Sequence, residues 1–413
     1  MTLDTFTFSK HFLEDRCDRC GRCLHECPVL QLPLDAAQAE IRALIETGDS
    51  SVLDRCTGCM ACNSLCPKGA NPHTLIVSRW RARYERRGIP VRGRLVLPYQ
   101  KPNLFTLGIE RLPKDERDLV QKWEQNWQNP PSHDTMLYAG CNMLVQPFLL
   151  DSALFAGMPI FGSTDICCGE PLYRMGCWDA VQAVAGHLRD EFNRMGLRRV
   201  MVPCHAGYYL FKHVYREVFD VDLGLEVVSI FDWLHDRIAE GESSITPLNK
   251  TAVLHDNCWP KASGDYFFDK VRDLLALLGV QVLEPEHTRE RALCCGMCAA
   301  AARYSLRDIV RASKKRLAEF DRVDADMVVD YCGGCNWLFA LADNLSLSKR
   351  PKPLYHLFEV LQMAVGETPK HRTAGRANAV VRAMIGPLAR GYLTPKRFWI
   401  DEIEGKHIAH RTD

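Results

Sequence analysis

Ten of the nineteen cysteines in this 413-residue chain fall into one repeated pattern and a later echo. The first run is Cys17, Cys20, Cys23 and Cys27, closed by Pro28; the second is Cys56, Cys59, Cys62 and Cys66, closed by Pro67; the echo is the doubled Cys294-Cys295-Gly296. Thiolates separated by two, two and three residues wrap a cube of iron and sulfide, so each run reads as a 4Fe-4S site. A zinc site would want two separated pairs, whereas here four thiols lie within eleven residues and end at proline. A secreted disulfide framework would call for an export signal, and residues 1–10 show no basic stretch followed by an apolar one. In the bacterial two-cluster arrangement the fourth cysteine of each run serves the other cluster. One cluster would then use Cys17, Cys20, Cys23 and Cys66, and the other Cys56, Cys59, Cys62 and Cys27, which holds the two close enough to exchange electrons.

The remainder of the chain must position these sites, and its composition is that of an ordinary globular protein. Hydrophobic residues make up 47% and charged residues 25%, enough for two or three domains at this length. A net charge of +1 gives no global argument for nucleic acid or an anionic membrane. Apolar stretches are far shorter than the roughly 20 residues of a membrane-spanning helix. The expectation is a cytoplasmic protein that reaches the cytoplasmic face of a membrane only through a partner.

Residues 1–95 read as a helical ferredoxin domain with two 4Fe-4S clusters, because the insertion between the runs, residues 34–45, is rich in Ala, Leu and Glu with apolar residues at helical spacing. Residues 96–132 read as a linker punctuated by proline, with one helix over 114–127. From residue 133 short apolar strands alternate with amphipathic helices, the pattern of α/β architecture. Strands are expected at 135–139, 199–203 and 226–230, and again at 252–255, 280–284 and 326–331, with a helix over 308–320. Residues 133–245 and 246–365 are thus two copies of one unit, with a C-terminal tail over 366–413.

The duplication makes the other cysteines legible. In the second copy Cys258 follows a strand, Cys294-Cys295-Gly296 follows another, and Cys332-Gly333-Gly334-Cys335 sits at a strand-to-helix turn. Five thiols at the same ends of the strands can converge where α/β sheets place their sites. Neighbouring side chains diverge, so an adjacent pair suits an opened cluster better than a corner-capped cube. The first copy matches at Cys141, Cys167, Cys168 and Cys204, but Gly207 stands where Cys335 has its counterpart. Cys177, His205 or a bridging Cys141 are the candidates to compensate. Cys298 reads as a helix-packing residue.

The doubled Cys-Cys-Gly, with an upstream cysteine and a downstream Cys-x-x-Cys, resembles the cysteine-rich (CCG) repeat of heterodisulfide reductase catalytic subunits. Behind two ferredoxin motifs, residues 15–365 resemble the fused heterodisulfide reductase-like iron-sulfur proteins, which include iron-sulfur subunits of glycolate, lactate and anaerobic glycerol 3-phosphate oxidation. They also include subunits of sulfate-reducer membrane complexes and of the class II benzoyl-CoA reductase complex. The resemblance implies a noncubane 4Fe-4S cluster on Cys258, Cys294, Cys295, Cys332 and Cys335, able to engage a disulfide sulfur. A second at the first repeat would need Gly207 to be compensated.

Weaker signals qualify this picture. Arg79, Arg81, Arg83, Arg86, Arg87, Arg92 and Arg94 crowd the exit from the ferredoxin domain; the expectation is a solvated helix face that grips the second domain, with docking of an acidic partner as the alternative. His255-Asp256-Asn257, just before Cys258, could tune a cluster or supply a proton to a thiolate. No glycine-rich phosphate loop appears, so flavin or nicotinamide would belong to another subunit. The tail's Phe398-Trp399-Ile400 reads as the end of an amphipathic helix. The expected protein is an iron-sulfur oxidoreductase subunit of a hetero-oligomer whose partners carry flavin or a membrane haem, with no role in nucleic-acid binding. It would pass electrons between two cubane clusters and a noncubane one and reduce a disulfide. The alternative is a dehydrogenase component taking electrons from a flavin subunit to quinone.

Overall fold

The computed structural model describes residues 8–262, 266–297, 305–346, 350–404 and 407–412. Cys298 therefore lies outside the described residues. The N-terminal unit is helical. Helix Leu34–Glu46 buries Ala37, Ile41 and Leu44, a stripe of spacing four and three that faces the core. Helix Pro72–Arg87 opens on proline, whose missing N–H costs nothing in the first turn, and buries Leu75, Ile76 and Trp80. The cysteine runs thread the single turns Arg22–His25 and Ala61–Ser64. A two-residue strand, β1 (Ile89–Pro90), ends the unit.

Residues 96–132 hold more structure than a linker. Asn103 and Thr106 form a capping box at the start of helix Leu104–Ile109, and helix Lys114–Gln128 buries Trp123 and Trp127.

Two parallel sheets follow. Strands β2 (Thr135–Tyr138), β3 (Ile160–Phe161), β4 (Arg199–Val202) and β5 (Glu226–Ser229) lie in the order β3-β2-β4-β5. Strands β6 (Lys250–His255), β7 (Val280–Leu283), β8 (Met327–Asp330) and β9 (Leu354–His356) repeat it as β7-β6-β8-β9. In each sheet the chain steps one way from the first strand and then back across it to the third. The carboxyl ends of those two strands flank the switch point where such sheets place ligands. Strands β3 and β9, two and three residues long, are too short to show a period in the sequence. The helix expected over 308–320 is Leu306–Asp321, started by the Ser305 hydroxyl accepting from the Asp308 amide.

Packing joins the three units. One face of the first sheet, with Met136, Tyr138 and Val200, shares an apolar core with Leu44, Ile76 and Trp80 of the helical unit. Its other face, with Leu137 and Met201, shares a core with Leu254 and Val329 of the second sheet.

The C-terminal segment corrects one expectation. Helix Thr373–Leu393 is present, but Phe398-Trp399-Ile400 belongs to strand β10 (Arg397–Glu404), which pairs antiparallel with β1 and with β11 (His407–Thr412). Pro395 disfavours helix at Thr394, and the run of aromatic and branched residues after it suits a pleated strand. Phe398 is fully buried on the chain's own surface. Among the described residues no helix is long and apolar enough to cross a membrane.

Candidate functional site

The two N-terminal cysteine runs adopt the same local backbone. Gly21 and Met60, each following the second cysteine of its run, take left-handed φ values of 73° and 65° ahead of the single turn that carries the third. That conformation is uncommon for a residue with a side chain, and at Met60 it is held by full burial. The buried thiols of the two runs act on one another, Cys27 on Cys23 and Cys23 on Cys62 as well as within each run. Burial, then the charges of Cys66, Cys17 and Cys20, push the Cys23 thiol up. Burial, then Cys56, Cys23, Cys59 and Cys27, do the same to Cys62. Burial and Cys59 push Cys27 up to about 11. After burial, Cys66 weighs most on Cys23 and Cys59 most on Cys27. Backbone amides point at three of these sulfurs: Leu30 to Cys27 at 3.4 Å, Gly58 to Cys56 at 3.2 Å and Ala70 to Cys66 at 3.4 Å.

The second repeat gathers its cysteines at the carboxyl ends of β6 and β8. The Cys335 thiol donates to the Cys295 sulfur at 3.1 Å, and the ligand atoms of His255, Cys295 and Cys335 all lie within 4.8 Å of one another. The hydrogen bond with Cys294 and burial push the Cys295 thiol well above its ordinary value against the lowering bond from Cys335, with Cys332 adding to the push. Gly296 explains the third letter of the motif. Its φ is 101°, and a Cβ there would lie 2.5 Å from the Ile309 carbonyl oxygen. The same left-handed turn occurs at Gly169, with φ 74°, after Cys167-Cys168.

A network of buried charge stands behind this group. Asp256 accepts from both Arg272 terminal nitrogens at 3.0 and 2.9 Å and from the Arg289 amide at 2.7 Å. Burial alone would raise its carboxyl, but these donors win and hold it low. His255 accepts at Nδ1 from Arg316 at 3.3 Å, and burial with that guanidinium holds its imidazole neutral. A neutral His255 can tune sulfur beside it but has no proton to spare at neutral pH. Asp330, fully buried, accepts from Asn336 at 2.9 Å and from the Cys332 amide at 3.2 Å.

In the first repeat Cys141, Cys167, Cys168 and Cys204 also converge. Cys141 and Cys167 are hydrogen-bonded, as are Cys167 and Cys168, and burial with the charges of Cys332 and Cys168 pushes Cys204 up. Cys332 comes from the second repeat, so the two groups face each other. Cys141, Cys168 and Cys204 line a cavity of about 90 Å³ with Phe105, Glu170 and Arg174. Of the residues expected to stand in for the missing fifth cysteine, Cys141 lies in this group, whereas Cys177 and His205 do not gather there. Cys177 is hydrogen-bonded to Tyr84 beside Arg81. His205 stacks on Phe231 of its own repeat at 5.3 Å and turns to the second repeat, lying 3.4 Å from the Asn257 amide nitrogen and 5.0 Å from the Tyr331 ring.

The arginine-rich exit from the helical unit grips this chain. Arg79 donates to the Leu44 and Ile45 carbonyls at 2.7 Å, Arg83 pairs with Asp54 at 2.6 Å, and Arg94 lies over the Phe398 ring at 4.8 Å.

Three donor groups can hold iron. Ionisable thiols buried together repel once ionised, and a cationic iron centre is the group that relieves this. The second ferredoxin run touches the second repeat: Cys59, Ala61 and Cys294 form one buried group against which Cys258 packs. Two buried cations at this junction, Arg174 and Lys261, went unselected in the sequence. Nothing in their spacing distinguishes them from other basic residues, since the contacts that matter span 84 and 31 positions.

Comparison with known proteins agrees with this layout. Residues 14–70 match the 4Fe-4S dicluster domain, and residues 149–211 and 252–340 match the cysteine-rich domain family. The chain is 24% identical to the EtfAB:quinone oxidoreductase of Syntrophomonas wolfei over 85% of its own length, and spans 58% of that relative. It is 25% identical to one of the subunits of the dihydromethanophenazine:CoB–CoM heterodisulfide reductase of Methanosarcina mazei, with 78% of this chain and 87% of the relative covered. With one of the subunits of the CoM/CoB fumarate reductase of Methanothermobacter marburgensis it shares 22% identity, covering 77% and 66%.

Proposed function

As a heterodisulfide reductase-like iron-sulfur protein and oxidoreductase subunit, the chain acts, we propose, as the electron-transfer component of a multi-subunit complex. Its two ferredoxin cysteine groups would hold cubane 4Fe-4S clusters and Cys258, Cys294, Cys295, Cys332 and Cys335 a noncubane one. Such clusters take up and release single electrons at potentials from about −700 to +450 mV. The identical strand order of the two sheets supports an internal duplication of the cysteine-rich unit.

The observation that carries the reading is the contact of Cys59 with Cys294 and Cys258. It sets the second ferredoxin group directly against the second repeat, so the chain's own sulfurs bridge the two. The protein's contribution is to bury both groups, to exclude water between them and to aim backbone amides at their sulfurs, as Gly296 does to Cys294 at 3.3 Å. In this reading the second repeat would meet a thiol-derived disulfide, and two electrons delivered one at a time through the ferredoxin groups, with two protons from solvent, would cleave its S–S bond to two thiols.

Iron and sulfide counting on anaerobically purified protein tests it. The expected content is about twelve irons per chain, three clusters of four; about eight would remove the second-repeat cluster, and about sixteen would fill the first repeat as well. A paramagnetic signal that appears only with a disulfide and is absent in Cys294→Ser would mark disulfide chemistry. Similarity to the EtfAB:quinone oxidoreductase favours a second reading, delivery of electrons from a flavin-bearing partner towards quinone. Reduction of the clusters by such a partner without any response to disulfides would select it.

A further inference from the structure

Arg174 belongs to the first repeat but works in the second. It lies on the short helix Glu170–Met175 that follows Cys167-Cys168-Gly169, and its side chain is 1% exposed. Nε pairs with Glu170 one turn earlier at 2.7 Å. Nη2 donates to the Cys258 sulfur at 3.2 Å. The guanidinium lies 4.9 Å from the ring centre of Trp259, the residue after Cys258, and the Trp259 indole N–H reaches Glu170 at 3.4 Å. Its other face meets the ferredoxin loop: Nη1 is 3.7 Å from where a Cβ of Gly58 would stand, between Cys56 and Cys59. Burial and the Arg174 charge also hold His73, on that side, down to about 3. Lys261, 1% exposed, adds a second cation on the same loop as Cys258, donating to the Ala292 carbonyl just before Cys294.

We propose that Arg174 is a positioning residue for the second-repeat site: the first repeat, lacking its fifth cysteine, delivers a buried positive charge to the Cys258 sulfur and thereby raises the reduction potential of the group held there. The inference rests on the second repeat holding a redox group. Reduction adds negative charge, and a fixed cation within hydrogen-bond distance of a ligating sulfur favours that state most where water is excluded and salt screens little. Glu170 opposes Arg174, so the two residues should act with opposite sign. A cation whose role was only to pack would leave the potential where it is.

The test is a redox titration of the intact chain followed by paramagnetic resonance, with iron counted in every sample. In Arg174→Gln the second-repeat signal should become harder to reduce by at least tenfold in equilibrium constant, about 59 mV for one electron. Arg174→Lys should recover most of that shift. Glu170→Gln, which leaves the cation in place, should move the potential the other way. The signal of the group at Cys17, Cys20, Cys23 and Cys66 should move less. Full iron in Arg174→Gln with an unmoved potential overturns the inference alone. So does an equal shift in the Lys and Gln variants, or, where Arg174→Gln does not fold, an unmoved potential in Glu170→Gln. Unaltered protein with only about eight irons overturns the functional reading and this inference with it.

Discussion

The two cysteine-rich repeats share a frame and differ in what stands behind it. Both sheets run in the same order, and each places one cysteine three residues past the end of its first strand and another two past its third. Behind the first group the chain packs aromatic rings. Tyr138 ends β2 and lies 5.7 Å from Phe161 and 5.2 Å from Phe211, with Phe192 5.8 Å from Phe161. Behind the second group stand polar side chains and a buried ion pair, Asp256 with Arg272. His255 ends β6, followed by Asp256, and Asp330 ends β8 where the first repeat has Val202. Burying ions is costly and is rarely repaid by the ion pair itself. The second repeat keeps its buried Asp256–Arg272 pair behind its own cysteines, whereas the first fills the same space with rings and sends its buried cation, Arg174, across to Cys258.

The largest expected effect breaks the comparison at the cysteines. Cys295→Ala should lose about four irons per chain and Cys168→Ala none, measured by iron and sulfide counting side by side. Equal losses would show that the repeats are equivalent after all. Next comes Gly207→Cys, which supplies the thiol that the first repeat lacks. The backbone there is not left-handed, and the new Cβ would press only on the Val202 methyl at 3.2 Å. Under the proposed reading this variant gains iron towards about sixteen per chain, read by the same assay. No gain would mean that the aromatic backing, more than the absent cysteine, disables the site.

Stability sharpens the contrast further. Arg272→Ala leaves Asp256, whose side chain is fully buried, without its guanidinium, a loss of about 3–5 kcal/mol for a broken buried pair. Chemical denaturation of the variant should show it, together with loosened iron at the second repeat. The matching change in the first repeat, Phe192→Ala, should cost a similar ~3–5 kcal/mol as a cavity. There the iron content should stay as it was.

Legibility in the sequence followed the reach of each signal. Both cysteine runs, helix Leu34–Glu46 and the strands ending near Cys141, Cys204, Cys258 and Cys332 are local patterns, readable from spacing and period. Strand β10 is easily misread because aromatic residues after a long amphipathic stretch look like its continuation until Pro395 is weighed. The electrostatics of the site could not be read at all. Arg174 meets Cys258 across 84 residues, Arg316 meets His255 across 61 and Asp256 meets Tyr331 across 75, and no periodicity encodes such pairs.

The smallest effect lies in acid. Burial would raise the Glu284 carboxyl, but bonds from Arg272 at 2.6 and 2.9 Å and from Thr288 at 2.6 Å outweigh it and hold it below its ordinary 4.5. A carboxyl held low in the folded state adds stability above its unfolded value and loses it as pH falls through the folded one. The loss therefore begins below about 4.5, and because Glu284 is 40% exposed, solvent screening keeps it under about 1 kcal/mol. Between about pH 4.5 and 3, hydrogen exchange corrected for the intrinsic pH dependence of amide exchange should quicken in β6 and β7, which Glu284 and Arg272 brace, more than in β2 and β3. Glu284→Gln should remove that pH dependence and leave β2 and β3 unchanged. Equal quickening in both sheets would mean that the second repeat's charges brace the whole molecule instead of their own sheet.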